Sequence, residues 1–154
     1  LYKRFTPAGP DHAQVAACAG MADYFDSLAN HHSIQGLPSA RMAGVHDLMR
    51  AHETTLLQPL LDFLSARNDL RLLGPRNAEN RAPTVALDLG RDPAPIAQAL
   101  AAKGINAGAG DFYAVRALEG QGVNSKRGVL RLSFVHYTSV DEIDALIAAL
   151  DSVL

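Results

Sequence analysis

The fold of this chain is decided by residues 128–147, which read GVLRLSFVHYTSVDEIDALI. In the first half, apolar residues alternate with more polar ones, and this period of two predicts a strand over 128–136 with one buried face. Residues 139–142 then form the Ser-x-x-Glu pattern of a capping box, which starts a helix. The apolar residues of that helix share one face: Ile143, Leu146, Ile147 and Leu150. A strand followed directly by an amphipathic helix predicts a layered domain.

Further short elements are predicted upstream by the hydrophobic period. Strands are expected over 70–73, 84–89 and 105–111. Between the last two, residues 92–93 (Asp-Pro) are typical of a helix start and Gly104 of a helix end. The expected fold class is therefore α/β in its layered α+β form. It has a small, mainly antiparallel or mixed sheet with helices packed on one face.

Two longer helices are expected before this sheet. One is predicted over 13–28, which is rich in small and apolar residues. The other is predicted over 39–66, where apolar residues recur at spacings of three and four. Pro59 lies inside the second helix and predicts a kink, because proline removes a backbone donor and crowds the preceding turn.

Composition and charge exclude several classes of function. The chain has 154 residues, of which 48% are hydrophobic and 19% charged, so it is expected to fold as one domain or one domain with an appendage. A formal net charge of −2 argues against binding to nucleic acid or an anionic membrane. No apolar run approaches the ~18 residues of a membrane span. We expect a cytoplasmic protein, because no signal-peptide pattern opens the sequence and its single cysteine allows no internal disulfide.

Histidine and cysteine patterns predict neither a metal site nor a reactive thiol. His52 and Glu53 begin like a zinc-protease helix, but no second histidine follows at the required spacing, so a half-buried helical histidine is expected. The pair at 31–32 (His-His) lies in a connecting segment without a cluster of ligand residues. No metal is expected. Cys18 lies in an apolar helical run with no basic neighbour, which predicts a buried, inert thiol.

The glycine-rich segment 108–110 and Arg131 are the two positions whose chemistry the pattern leaves open. Gly108-Ala109-Gly110 predicts a tight turn or a close backbone approach to an anion, but it lacks the third glycine of the dinucleotide fingerprint. Arg131 lies inside an apolar strand, where an unpaired guanidinium is costly to bury. It therefore reaches an edge, pairs with a carboxylate of the protein, or binds an anionic ligand such as a carboxylate.

Two motifs resemble the end of a class V pyridoxal-phosphate enzyme, the fold type I group of aminotransferases and cysteine desulfurases. They are residues 104–114, GINAGAGDFYA, and residues 130–144, LRLSFVHYTSVDEID. Residues 4–12 resemble a segment that these enzymes carry earlier, usually with a Gly-Thr-Pro-Asn core. His52-Glu53 and the leucines after it resemble the long interdomain helix of the family.

This resemblance implies a domain division. Residues 1–38 would be the tail of the large domain that binds pyridoxal phosphate, and residues 39–154 the small C-terminal domain. The opening residues 1–3 (Leu-Tyr-Lys) are not a natural initiation sequence, so we expect the chain to be part of a longer protein. That protein would be a homodimer acting on an amino acid.

The resemblance also implies roles for individual residues. Arg131 would bind the substrate carboxylate, with Asp111 and Tyr113 at the mouth of the site. The cofactor-binding residues would be those of the Gly-Thr-Pro-Asn-like segment: Gly9, Pro10, Asp11 and His12. The lysines Lys3, Lys103 and Lys126 do not resemble the Schiff-base lysine of the family. No catalytic residue and no bound cofactor are therefore expected in this chain alone.

Three departures from the family pattern bear on the reaction. Gly9 replaces a threonine that contacts the cofactor phosphate, Gly108 replaces an arginine found in many desulfurases, and Tyr113 replaces the nucleophilic cysteine. Sulfur abstraction needs a thiolate. The parent protein is therefore expected to be an aminotransferase or related lyase without desulfurase chemistry. The alternative is a standalone interaction or regulatory module in which Arg131 makes a structural ion pair.

Overall fold

The computed structural model describes residues 11–154, and it contains five helices and four strands in that range. The helices are α1 (His12–His31), α2 (Pro38–Ser65), α3 (Ala94–Ala101), α4 (Val115–Gly120) and α5 (Val140–Val153). The strands are β1 (Arg71–Leu73), β2 (Thr84–Asp88), β3 (Gly108–Gly110) and β4 (Val129–Ser133), and a 3₁₀ turn spans Ala78–Asn80.

The four strands form one antiparallel sheet in the order β1-β2-β4-β3. Alternate residues of the two central strands, such as Val85 in β2 and Leu130 in β4, are fully buried on one face. The second half of α2 packs on this face with α3 and α5, so that leucines such as Leu60, Leu100 and Leu150 complete the core. The expected layered fold, a small antiparallel sheet packed against helices, is confirmed.

Local sequence signals account for the helix that closes this core. The hydroxyl of Ser139 accepts a hydrogen bond from the amide of Glu142 at 3.2 Å, and the Glu142 carboxylate accepts one from the amide of Ser139 at 2.7 Å. This reciprocal pair is the expected capping box and fixes the start of α5. Because the start is fixed, Ile143, Leu146 and Leu150 turn together towards the sheet.

A second, smaller cluster lies apart from the main core. It joins Leu73 of β1, Leu118 of α4, Val123 and Val129 of β4. Phe112 and Ala86 pack against it. This cluster supports the segment between β3 and α4, which contains the sequence-predicted site residues.

The chain divides into two compact units, residues 1–50 and 51–154, and the boundary falls inside α2. The prediction that the domains are 1–38 and 39–154 therefore stays a prediction. Helix α2 continues past Pro59 to Ser65, and the kink expected there also stays a prediction. In the first unit, Arg41 joins the end of α1 to the start of α2, because its guanidinium donates to Asp26 at 3.0 Å and to Asn30 at 2.9 Å.

Two sequence expectations about burial are wrong. Cys18 is exposed rather than buried, because α1 presents most of its residues to solvent and buries only Ala29 among those described. His52 is exposed rather than half-buried, and its Nε2 donates a hydrogen bond to the carbonyl oxygen of Thr138 at 2.9 Å. Within residues 11–154, none of the helices has the length and apolar composition of a membrane-spanning segment.

Candidate functional site

The candidate site is built on the pairing of β3 with β4. Gly108 lies directly opposite Arg131 in the register of these two antiparallel strands. Residues directly opposite each other project from the same face of a sheet. On β4, Leu130 and Leu132 face the main core while Arg131 between them is exposed, so Arg131 and Gly108 share the face that the core helices leave open.

The ring of Phe112 occupies the space that Gly108 leaves. A Cβ atom at position 108 would lie 2.7 Å from Cζ of Phe112, closer than a carbon contact allows. The guanidinium carbon of Arg131 lies 4.0 Å from the centroid of the same ring, which is a close cation–π contact. The structure therefore explains the glycine at position 108, which the sequence pattern did not: without a side chain there, the Phe112 ring can lie beside Arg131.

The loop that carries Phe112 has an unusual backbone. Phe112 and Tyr113 have φ angles of 52° and 59°, in the left-handed region that bulky residues rarely adopt. The carboxylate of Asp111 supports this turn by accepting a hydrogen bond from the amide of Tyr113 at 3.0 Å. The strained turn directs the Phe112 ring back onto the sheet and leaves Tyr113 fully exposed. Strain of this kind is typical of functional loops.

No carboxylate of the described residues pairs with Arg131. Asp111 uses its carboxylate in the turn just described. Asp88, the other acid considered for such a pair, accepts from Arg127 at 2.7 Å and from Arg71 at 3.5 Å instead. Within residues 11–154, the N–H donors of Arg131 therefore have no protein acceptor, and the structural-pair explanation of this arginine has no support there.

The Asp88 ion pairs fix the segment that leads into β4. Only 12% of the Asp88 side chain is exposed. Burial alone would raise the pKa of Asp88, but the amide of Gly90 and the guanidinium groups of Arg127 and Arg71 together hold that pKa below its ordinary value of 3.8. Arg127 directly precedes Gly128, so this contact positions the turn that packs against the end of β3.

The lowered pKa of Asp88 gives a pH-dependent contribution to stability. The stabilisation is present above the ordinary pKa and is lost as the pH falls through the lowered one. We expect Asp88→Asn to reduce the free energy of unfolding at pH 7 by about 1–2 kcal/mol, since one partner of these charged hydrogen bonds is half exposed. Urea unfolding at pH 7 and pH 3 checks this, with exposed Asp144→Asn as the control. An equal loss of unfolding free energy at both pH values would contradict the pH-dependent contribution of Asp88.

The residues expected to contact a cofactor phosphate are only partly described. Gly9 and Pro10 lie outside the described residues. The Asp11 carboxylate caps α1 by accepting from the amides of Ala13 and Gln14, both at 3.1 Å. His12 begins that helix and is exposed. Both belong to the first unit, whereas Arg131 belongs to the second. Their cofactor-binding role stays a prediction.

The described lysines do not fit the covalent attachment of pyridoxal phosphate. Lys103 lies in an exposed turn after α3, and Lys126 lies in another exposed turn before β4. Lys103 borders a groove whose lining contains no second basic side chain to hold a phosphate. Residues 11–154 also contain no group of three or more histidine, cysteine or acidic side chains that would hold a metal ion. What the described residues offer is an exposed arginine, Arg131, with no carboxylate partner among them.

A groove of about 830 Å³ lies elsewhere in the second unit. It is lined by α5, by the end of β4 and by residues 103–106. Its apolar lining includes Phe134 and Leu146. Arg131, Asp111 and Tyr113 do not line this groove, so the candidate site is an open surface of the sheet rather than this concavity.

Sequence reasoning missed Phe112, although it selected Asp111 and Tyr113 on either side of it. The available signal was an aromatic residue directly after a glycine-rich strand, in a loop of otherwise small or polar residues. What the pattern lacked was the register that places Gly108 opposite Arg131. Without that register, nothing connected the loop to the arginine.

Comparison with known proteins gives a consistent set of relatives. Residues 39–146 match the family described as aminotransferase class V. An aminotransferase-like protein of Gibberella zeae is 31% identical over 113 residues, which cover 70% of this chain and 28% of that protein. A probable cysteine desulfurase of Streptomyces coelicolor is 28% identical over 151 residues, which cover 97% of this chain and 32% of that protein.

Solved structures share the fold. The cysteine desulfurase CsdA from Escherichia coli, in an S-sulfonic acid form, is 25% identical with a TM-score of 0.59 over 75% of this chain and 29% of that chain. The apo cysteine desulfurase from Thermococcus onnurineus is 22% identical with a TM-score of 0.61 over 75% of this chain and 30% of that chain, which shows the fold alone. The chain spans about a third or less of the length of the proteins it matches. The match over residues 39–146 shows that this chain belongs to the class V aminotransferase family.

Proposed function

We propose that this chain is the C-terminal part of a pyridoxal-phosphate enzyme that acts on an amino acid, and that Arg131 binds the α-carboxylate of that substrate. The family is pyridoxal-phosphate dependent. The observation that carries the proposal is the exposed Arg131, held against Phe112 on an open sheet face with no carboxylate partner among the described residues. In this proposal, residues 39–154 are the small domain, residues 1–38 belong to the large one, and the full protein is a cytoplasmic homodimer.

The chemistry of Arg131 suits a carboxylate. A guanidinium group offers two parallel N–H donors that match the two oxygens of a carboxylate. Position 131 lies in the middle of a four-stranded sheet, so its Cα is held on a rigid element rather than on a mobile loop. A rigid anchor of this kind fixes where the substrate carboxylate lies. The bond to be broken can then be aligned with the reacting group.

In this proposal the cofactor supplies the chemistry, and the described residues bind and orient the substrate. Pyridoxal phosphate supplies the electron sink for the reaction, and the rest of the full protein carries it. The described residues bind and orient: Arg131 holds the carboxylate, and the turn around Asp111 and Tyr113 borders it. Asp111 accepts a hydrogen bond from the Tyr113 amide through Oδ1, so the role proposed for it is to shape the turn.

The reaction proposed is amino-group transfer or a related lyase reaction rather than sulfur abstraction. A desulfurase needs a thiolate to attack the substrate sulfur. Tyr113 stands at the position that resembles the family's nucleophilic cysteine, and its side chain is fully exposed. The lone Cys18 lies in α1 of the first unit, on a separate element. The described residues therefore offer no thiol in the loop beside Arg131.

An absorbance titration tests this function. The full protein, purified with its cofactor, is expected to show the visible absorbance of bound pyridoxal phosphate and to change its spectrum when single amino acids are added. The 154-residue chain is expected to show neither property, because none of its three lysines resembles the Schiff-base lysine of the family. A full protein that purifies without the cofactor and takes none up, or a stable borohydride-trapped adduct on a lysine of the 154-residue chain, would contradict the proposal.

A further inference from the structure

We propose that Phe112 is a positioning residue: its ring presets the orientation of the Arg131 guanidinium and leaves the N–H donors free for the substrate carboxylate. The proposal rests on the proposed function of Arg131 and adds to it a residue that acts through Arg131. It also gives a reason for the glycine at position 108.

The Phe112 ring is held in place on two sides. Phe112 packs against the small cluster that contains Leu118 and Val129, so its ring is anchored by apolar contacts. The ring also lies in the gap above Gly108, the residue directly opposite Arg131. The ring is therefore held between a small apolar core and the arginine side chain.

The contact between Arg131 and the Phe112 ring leaves the N–H donors of the guanidinium free. The guanidinium carbon of Arg131 lies 4.0 Å from the ring centroid, a distance that places it against the ring face. The N–H donors of a guanidinium point outward in its own plane. Contact with the ring face therefore restrains the plane of the group without occupying its donors. An ion pair with a protein carboxylate would have occupied them.

The backbone of residues 111–113 directs the Phe112 ring towards Arg131. The left-handed conformations at 112 and 113 turn the ring back towards β3, and the Asp111 carboxylate supports the turn. No other hydrogen bond or ion pair of the described residues restrains the Arg131 side chain. The ring is thus the contact in this part of the chain that limits the rotamers of Arg131 before substrate binds.

The expected effects follow from the size of a cation–π contact at an exposed site. In the full protein, Phe112→Leu keeps an apolar side chain in the small cluster but removes the aromatic face. We expect KM for the amino acid to rise about two- to fivefold with kcat unchanged, which corresponds to about 0.5–1 kcal/mol at 1.4 kcal/mol per tenfold. Phe112→Tyr keeps the face and is expected to retain the wild-type KM.

Gly108→Ala is expected to disturb the same contact between Phe112 and Arg131 without changing either residue. The added Cβ would lie 2.7 Å from Cζ of Phe112, so the ring must shift away from Arg131 at some cost in stability, and the folded variant is expected to raise KM like Phe112→Leu. Phe63→Leu is the matched control. Phe63 also lies near an arginine, Arg67 at 5.8 Å, but it packs against the main core, so its variant is expected to keep the wild-type KM.

A second readout does not depend on activity. In the full protein with ¹⁵N-labelled arginine, the Nε–H proton of Arg131 is expected to show a ring-current shift, assigned through its disappearance in Arg131→Lys. The shift should be lost in Phe112→Leu and Gly108→Ala and kept in Phe112→Tyr. An unchanged signal or an unchanged KM in Phe112→Leu would overturn the positioning role. If Arg131→Lys itself leaves KM unchanged, the proposed function fails first, and the positioning role fails with it.

Discussion

Replacing Arg131 by lysine in the full protein is expected to lower kcat/KM for its amino acid by about ten- to a hundredfold. Lysine keeps the positive charge but loses the two parallel donors that match a carboxylate. A charge-assisted hydrogen bond contributes about 1.5–3 kcal/mol, which corresponds to that factor. Because Arg131 is exposed and makes no ion pair with the described residues, the melting temperature is expected to change little. Steady-state kinetics and thermal unfolding of the same preparation check both points.

The matched control is Arg76→Lys, a change of the same type at an exposed arginine in the loop after β1. It is expected to leave both kcat/KM and the melting temperature unchanged. If Arg131→Lys instead unfolds the protein while the folded remainder keeps normal kinetics, Arg131 is a structural residue. The carboxylate-binding role would then be wrong.

Gly128→Ala is expected to lower the free energy of unfolding of the chain by about 2–5 kcal/mol. Gly128 has a φ angle of 74°, where an L side chain costs about 1–2 kcal/mol. An added Cβ would also lie 2.5 Å from the carbonyl oxygen and 2.6 Å from the Cα of Gly110. Both are backbone atoms of the paired strand and have little room to move. The resulting overpacking is expected to lower the free energy of unfolding further, by about 1–3 kcal/mol. Urea unfolding of the variant measures the loss.

Gly122→Ala separates the two causes of that loss. Gly122 has a nearly equal φ angle of 72°, but no atom lies within 4 Å of its added Cβ. Gly122→Ala is expected to lower the free energy of unfolding only by the conformational cost, about 1–2 kcal/mol. Equal losses in the two variants would show that the contact between Gly128 and Gly110 does not matter. In that case the account of how the β3 loop is positioned would be wrong.

The parts of the fold that the sequence predicted are those set by local signals. The alternation around Leu130 and Leu132 identified β4 and its buried face, and Ser139 with Glu142 identified the start of α5. These signals act over two to four residues, so they can be recognised without knowing which element the strand or helix packs against. The family resemblance then added Arg131 as a candidate substrate-binding residue, a role that stays a proposal.

The parts that the sequence did not predict depend on contacts between distant residues. The ring of Phe112 reaches Arg131 only because β3 pairs with β4 in one register, and pairing register is not visible in a single strand. The exposure of Cys18 depends on what packs against α1, which its own apolar pattern does not specify. The left-handed backbone at Phe112 and Tyr113 contradicts the preference of both residues, and only the surrounding loop explains it.

The carboxylate-binding role proposed for Arg131 can be tested by direct observation. The most direct measurement is a crystal structure of the full protein with its cofactor and a bound amino acid that the spectral titration has identified. We expect two hydrogen bonds from the Arg131 guanidinium to the two carboxylate oxygens, with the guanidinium still against the Phe112 ring. A substrate carboxylate bound by other residues, with Arg131 in solvent, would contradict it.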